Sequence, residues 1–304
     1  MLLVIEQLLN GLQLGITLFL MSAGLTLVFG IMQIINLAHG SFYMIGAYVG
    51  ATVAARSGSF LLAVVAGVAA AAVVGAVVEV LVLRHLYKRQ HLDQVLATFG
   101  LIMFFNELIR VIWGRQPLFM SIPAGLSKSI QIMPGLPYPT YRLAVIGIGL
   151  LVAVFLWLMF AKTRIGMQIR AGSSNREMVG ALGVNINLLY TLVFGLGALL
   201  AGLAGVMAGP ILAVEAGMGE SILILTFVVI VIGGIGSIRG AVVGALLVGM
   251  VDTLGRAFLP AILRTMLSAA TADSAAASLS SMAIYILMAA ILVWKPRGLF
   301  PAHG

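Results

Sequence analysis

A chain of 304 residues that is 62% hydrophobic and only 9% charged, with a mean hydropathy of +1.17, has more apolar surface than the interior of a soluble domain this size can take up. It is expected to be an integral membrane protein. The net charge of +8 does not point to nucleic acid, because the basic residues sit in short polar interruptions and no basic patch interleaves with aromatics; the lack of cysteine excludes disulfides and cysteine metal sites.

The first apolar run, 8–30, has no basic residue before it and is too long for a signal-peptide core, so it reads as a mature span. Further spans are expected at 31–55, 60–83, 95–113, 143–160, 188–214, 222–235, 241–258 and 282–294. Most approach the roughly 20 residues that an apolar helix needs to cross, and helices are the fitting choice for runs this long. The run 222–235 is short and reads as a broken or re-entrant helix. The expected fold is an all-α polytopic bundle of eight or nine transmembrane helices, forming one transmembrane domain over 1–304.

Inside the second run, IINLAHGSFYMIG (34–46) sets Asn36, His39 and Ser41 beside Gly40. Two readings stand. Polar and ionisable groups at membrane depth mark a translocation pathway by default, because burying them unpaired is costly; His39 is equally compatible with a satisfied helix-packing role. A metal site finds no support, since no second His or carboxylate stands at ligand spacing. Glu107 with Arg110, and Asp252 with Arg256, have helical spacing and read as local ion pairs.

The segment 114–142 holds five of the nine prolines, Pro117, Pro123, Pro134, Pro137 and Pro139, so it is expected to be extended and semi-rigid rather than helical. It reads either as a plain connector or as a docking platform, since long unstructured loops are uncommon unless functional. The longest polar interruption follows at 161–187, AKTRIGMQIRAGSSNREMVGALGVNIN, with Lys162, Arg164, Arg170 and Arg176. Ser173 or Ser174 is expected to cap a short helix over 175–182 that Gly183 stops. Such a helix between two spans is where a membrane subunit receives force from a soluble partner.

A second break, GGIGSIRGAVVG (233–244), places Gly233, Gly234, Gly236, Gly240 and Gly244 around Ser237 and Arg239. Gly-interrupted segments point to a transport pathway, because irregular backbone is tolerated where it lines a cavity; close helix packing by small residues is the alternative. The Ala/Ser-rich stretch 268–281 is expected to be a loosely ordered connection.

Placing Arg84, Lys88, Arg89, the 161–187 loop, Arg239, Lys295 and Arg297 on the cytoplasmic side satisfies the positive-inside bias in alternate loops. The amino terminus is then outside and the carboxyl terminus inside. No phosphate loop, no nucleophile with a base and orienting group, and no H-E-x-x-H helix occur, and a charged proton relay is thin. A passive or partner-driven conduit therefore ranks above an enzyme, with an ion-coupled secondary transporter second.

The block NGLQLGITLFLMSAGLTLVFGIMQIINLAHGSFYMIGAYV (10–49) closely resembles the amino-terminal signature of LivH-type permeases of branched-chain amino acid ABC importers, the hydrophobic amino acid uptake family. Similarity continues through 97–114, 163–187, 197–209 and GGIGSIRGAVVGALLVG (233–249), and ends in the WKPRGLFP block at 294–301. The resemblance implies a permease subunit in the bacterial inner membrane, with 175–183 as the coupling helix. Arg176 and Glu177 would be its polar contacts, with Arg170 and Gly183 completing the set. It also implies a LivM-like second permease, two cassette ATPase subunits that use ATP, and an extracytoplasmic solute-binding protein, while this chain binds no cofactor itself. Thr17, Leu18 and Phe19 depart from the family's usual Tyr-Ala-Leu type of sequence, and 268–281 is longer than usual. Amides, urea and small aromatic acids therefore remain alternatives to branched-chain amino acids as substrate.

Overall fold

The computed structural model describes residues 2–87 and 89–300; Lys88 of the basic loop and Pro301 of the tail block lie outside the described residues. In chain order the helices are α1 (Leu2–Met32), α2 (His39–Ser57), α3 (Phe60–Leu81) and α4 (His91–Trp113), then α5 (Thr140–Lys162), α6 (Arg164–Ser174) and α7 (Arg176–Ala181). After them come α8 (Ile186–Ala208), α9 (Met218–Gly233), α10 (Ile238–Leu263) and α11 (Ala269–Trp294). An antiparallel hairpin, β1 (Ser129–Met133) with β2 (Leu136–Pro139), precedes α5.

Seven of these, α1, α3, α4, α5, α8, α10 and α11, are long and apolar enough to cross a membrane, and α9 is a shorter apolar helix of 16 residues. The fold is all-α and polytopic. Against the eight or nine crossings expected, α2 is the helix that departs most, because its polar start and Arg56 lower its hydropathy. The run 31–55 is not one span: α1 ends at Met32, Gln33 takes a positive φ of 54°, and α2 starts only at His39. The apolar pattern hid this break, since Ile34, Ile35 and Leu37 keep the segment oily while it is not helical.

Packing divides the chain into two compact units. One takes in the chain up to Ser22, Ala124–Gly149 and the chain from Leu225; the other holds Ala23–Pro123 and Leu150–Ile224. The second unit is centred on α2, α3 and α8, which pack on one another. Small residues permit this: a Cβ on Gly46 would lie 2.5 Å from the Gly202 carbonyl oxygen, and one on Gly205 would lie 2.0 Å from that of Tyr43. Phe42 meets Phe194 edge-on at 5.6 Å. At the far end of α3, fully buried Glu79 accepts hydrogen bonds from Arg84 at 3.1 Å, Thr191 at 2.6 Å and the Tyr87 hydroxyl, which ties the first turns of α8 to the α3–α4 connection. Burial and this carboxylate push the Tyr87 hydroxyl well above its usual pKa.

In the first unit, Gly11 and Gly15 of α1 pass against the backbone of α10, and a Cβ on Gly249 would sit 2.5 Å from the Gly15 nitrogen. The hairpin is anchored through Asn10, whose side-chain oxygen accepts from the Tyr138 hydroxyl at 3.1 Å and from Arg142. Within the Pro-rich segment, Ser129–Met133 and Leu136–Pro139 are extended, as its composition predicts, and pair about a turn at Gly135, where φ is +86°, whereas Ala124–Leu126 form a short 3-10 turn and 140–142 already belong to α5. The Ala/Ser stretch overturns its reading as a loose connection. Residues 269–281 are the first half of α11, because alanine is the best helix former and the serines return their hydroxyls to the helix, as Ser280 does to the Ala276 carbonyl at 2.7 Å. Ala272, Ala276 and Ser280 share the buried face of α11, which packs on α10. Arg264 and Asp273 close the α10–α11 turn at 2.8 Å.

Candidate functional site

The segment 33–38 leaves helical geometry just before a helix that is buried from its first residue. Asn36 is fully buried, and both heteroatoms of its side-chain amide lack a hydrogen-bond partner. His39 opens α2 with its ring edge-on to Phe42 at 6.2 Å, and its Cε1 lies 3.1 Å from where a Cβ on Gly24 would stand. Its ring is therefore packed on two sides, which favours the packing role among the two readings of this residue.

The next residue sets the geometry of the site. A Cβ on Gly40 would lie 2.2 Å from the Gly219 carbonyl oxygen, and one on Gly219 would lie 2.1 Å from that of Gly40. Each is the second residue of its helix, so α2 and α9 start backbone against backbone. Beside that crossing runs a narrow crevice with apolar walls from Leu37, Met44, Ile102 and Leu223 and polar groups from Ser41, Asn106 and Glu220. The Asn106 side-chain nitrogen donates to the Glu220 carboxylate at 2.5 Å. Neither residue is among the sequence-derived candidates. Glu220 lies two residues outside the apolar run starting at 222, and Asn106 stands next to Glu107, whose ion pair with Arg110 (2.5 Å) is the more visible feature. An amide in the middle of an oily run was the available signal.

Gly233, Gly234, Gly236 and Ser237 come together in the other compact unit as the bend between α9 and α10. Gly234 and Gly236 have φ of +105° and +83°, which favour glycine. Ser237 caps α10 by accepting from the Gly240 nitrogen at 3.1 Å. A Cβ on Gly233 would meet the Gly240 carbonyl oxygen at 2.2 Å. The chain end completes the bend: the Leu299 and Phe300 nitrogens donate to the Ile232 and Gly233 carbonyls, each at 2.9 Å, and so satisfy the orphan acceptors at the end of α9. Each of these glycines thus has a conformational or packing reason of its own.

The polar interruption 161–187 is more ordered than a loop. It contains α6, whose cap Thr163 accepts from the Gly166 nitrogen at 3.1 Å, and then α7. Ser173 and Ser174 lie inside α6; Asn175 caps α7 instead, accepting from the Met178 nitrogen at 3.0 Å. The correction has a simple origin, because an Asn one residue later reaches the free N–H groups that a Ser within a helix cannot. Arg170 turns its guanidinium back to the Phe160 carbonyl at the end of α5. Arg176, Glu177, Met178 and Leu182 are exposed around buried Val179, and Gly183 ends the element with φ of +86°. A cap on Asn185, accepting from the Leu188 nitrogen at 3.0 Å, starts α8 two residues later.

Seven membrane-capable helices, two shorter helices starting against each other, and an ordered polar helix pair define a multi-pass membrane protein. The family model described as branched-chain amino acid transport system, permease component, matches residues 7–292. The chain belongs to that family. It is 32% identical over 263 residues to the high-affinity branched-chain amino acid transport system permease protein BraD of Pseudomonas aeruginosa, covering 83% of this chain and 86% of the relative. It is 29% identical over 283 residues to the corresponding permease LivH of Escherichia coli, covering 84% and 87%. The ribose import permease RbsC of Escherichia coli is 28% identical over 263 residues, covering 82% and 77%. No solved structure matches.

Proposed function

We propose that this chain is the membrane-spanning permease subunit of an ATP-driven importer, forming part of the pathway for branched-chain or related hydrophobic amino acids. The observation that carries the reading is the family match across residues 7–292, with named amino acid permeases aligned over more than four-fifths of this chain.

In this reading α7 is the coupling helix, offering Arg176 and Glu177 to a groove on a cassette ATPase, while Arg170 and Gly183 hold its frame. The positive-inside bias puts α6 and α7 on the cytoplasmic face of the inner membrane, the amino terminus outside and the carboxyl terminus inside. The hairpin and its prolines then face a solute-binding protein. A LivM-like second permease and two ATPase subunits complete the assembly, and ATP is consumed there rather than on this chain. The test is purification of the tagged chain from its native membrane in mild detergent, with the bound subunits identified by mass spectrometry and assayed for ATP hydrolysis. Two cassette ATPases and a second permease in the eluate are the expected result; a chain that purifies alone, with transport intact, overturns it. Uptake of amides or urea in preference to leucine by the same assembly would move the substrate to the alternative class.

A further inference from the structure

We infer that the open hollow at the end of α11 is a site for the headgroup of an anionic phospholipid, held by Lys295 and Arg297 beside Trp294. The leaflet is the cytoplasmic one on the orientation proposed above, but the chemistry of the site depends neither on that orientation nor on the importer reading. In the second half of α11, Ile284 and Ile291 are buried while Met282, Ile286 and Val293 are exposed on the opposite face, Val293 at 86%. Trp294 follows as the last residue of the helix, 72% exposed, and the two cations come directly after it. An apolar stripe, then an indole, then cations is the order in which a chain passes from acyl tails through the interface to the headgroups.

The hollow has room and free donors. It offers about 440 Å³ of open space lined by Trp294, Lys295, Pro296, Arg297, Gly298 and Leu299. The Lys295 ammonium lies 5.0 Å from the centre of the Trp294 ring, which keeps it at the rim. Among the described residues no salt bridge includes Lys295 or Arg297, and no backbone carbonyl takes up the Arg297 N–H. The neighbouring chain supplies no counter-charge, since 221–251 and 274–304 contain no Asp or Glu. Exposed Arg239, in the first turn of α10, adds a cation at the bend that the tail closes.

The wall of the hollow is fixed before a ligand arrives. The Leu299 and Phe300 nitrogens are bonded to the end of α9, and buried Gly298, with φ of +80°, lies so close to Gly234 that a Cβ there would be 2.6 Å from its nitrogen. A phosphate is acceptor-only and fits the Arg297 fork and the Lys295 ammonium together. Continuity with the stripe favours a lipid over a soluble anion, because one molecule can set its phosphate in the hollow and lay an acyl chain along Val293 and Ile286. A phosphatidylcholine headgroup brings its own cation, which unpaired Lys295 and Arg297 disfavour.

The test is photolabelling of the whole assembly in phosphatidylcholine vesicles that contain a trace of lipid with a diazirine in its acyl chain. The probe is carried on phosphatidylglycerol or on phosphatidylcholine, and labelled peptides are located by mass spectrometry. The phosphatidylglycerol probe is expected to label the end of α11 at least roughly fivefold more, the factor that a single interfacial cation contributes toward an anionic lipid. Lys295→Gln combined with Arg297→Gln is expected to bring the two probes level there while labelling of the other spans stays as it was. Unlabelled phosphatidylglycerol is expected to compete, and excess inorganic phosphate is not. Equal labelling of the unmodified protein, or a preference that survives the double replacement, overturns the inference. Competition by inorganic phosphate overturns it in favour of a soluble anion, and exclusion of both probes by a soluble subunit that crosslinks to the tail overturns it in favour of a protein partner. If the double variant fails to assemble, the probe ratio and the competition in the unmodified protein decide the matter. A chain that purifies without ATPase subunits would instead strike at the importer reading, and leaves the probe ratio to judge this site by itself.

Discussion

Asn36 keeps two amide heteroatoms fully buried and unpaired, a state that costs about 1–3 kcal/mol. A group retained at that cost without a structural partner is a candidate for function, whereas the packing of His39 against Phe42 and Gly24 favours its helix-packing reading. The two leucine variants should therefore part ways. Asn36→Leu is expected to leave the thermal midpoint of the purified assembly unchanged or higher while uptake falls severalfold; His39→Leu is expected to lower the amount of assembled protein. A lower midpoint in Asn36→Leu with normal uptake per molecule would make Asn36 structural after all. Gly40→Val tests the backbone crossing. Its side chain must enter space held by the Gly219 carbonyl, and a loss of about 3 kcal/mol is expected in unfolding measurements. Gly58→Ala, where nothing lies within 4 Å but φ is +66°, should cost only about 1 kcal/mol. Similar losses at both positions would mean that α2 and α9 are not in contact at these residues.

At the scale of elements, α7 has little internal stability, with six residues, one cap and one buried side chain. In the proposed reading, its exposed charges are the part that a partner reads. Glu177→Arg is expected to leave membrane insertion and assembly yield intact while separating ATP hydrolysis from uptake, measured together in proteoliposomes; both activities unchanged would sink the coupling role. Removing the β1–β2 hairpin is expected to weaken stimulation by a loaded binding protein while sparing basal hydrolysis, and loss of both would point to the anchor on Asn10 as a folding element. Much of this level was legible in the sequence. Helices expected at 60–83 and 143–160 stand at Phe60–Leu81 and Thr140–Lys162, because long apolar runs bounded by polar residues leave one solution in a membrane. What escaped was backbone that breaks while its side chains stay apolar, as at 33–38, and helices made of small or polar residues, as in α6 and the first half of α11. Hydropathy registers the solvent that a segment prefers. It does not register whether the chain has changed direction, and it passes over a contact such as Asn106 with Glu220, which joins residues 114 positions apart.

For the whole molecule, two compact units share α1, α5 and α9, each of which contributes residues to both. The chain as a whole lacks a phosphate-binding loop and belongs to a family of transport-system permease components. On the proposed reading, the energy for concentrating a solute is supplied by another subunit, and that is the central claim. It is tested by reconstituting the complete assembly with its solute-binding protein in proteoliposomes and following radiolabelled leucine. Uptake should require ATP, persist when the proton gradient is dissipated, and cease when the phosphate-loop lysine of the co-purified ATPase is replaced. Leucine uptake without ATP that collapses with the proton gradient would contradict the account.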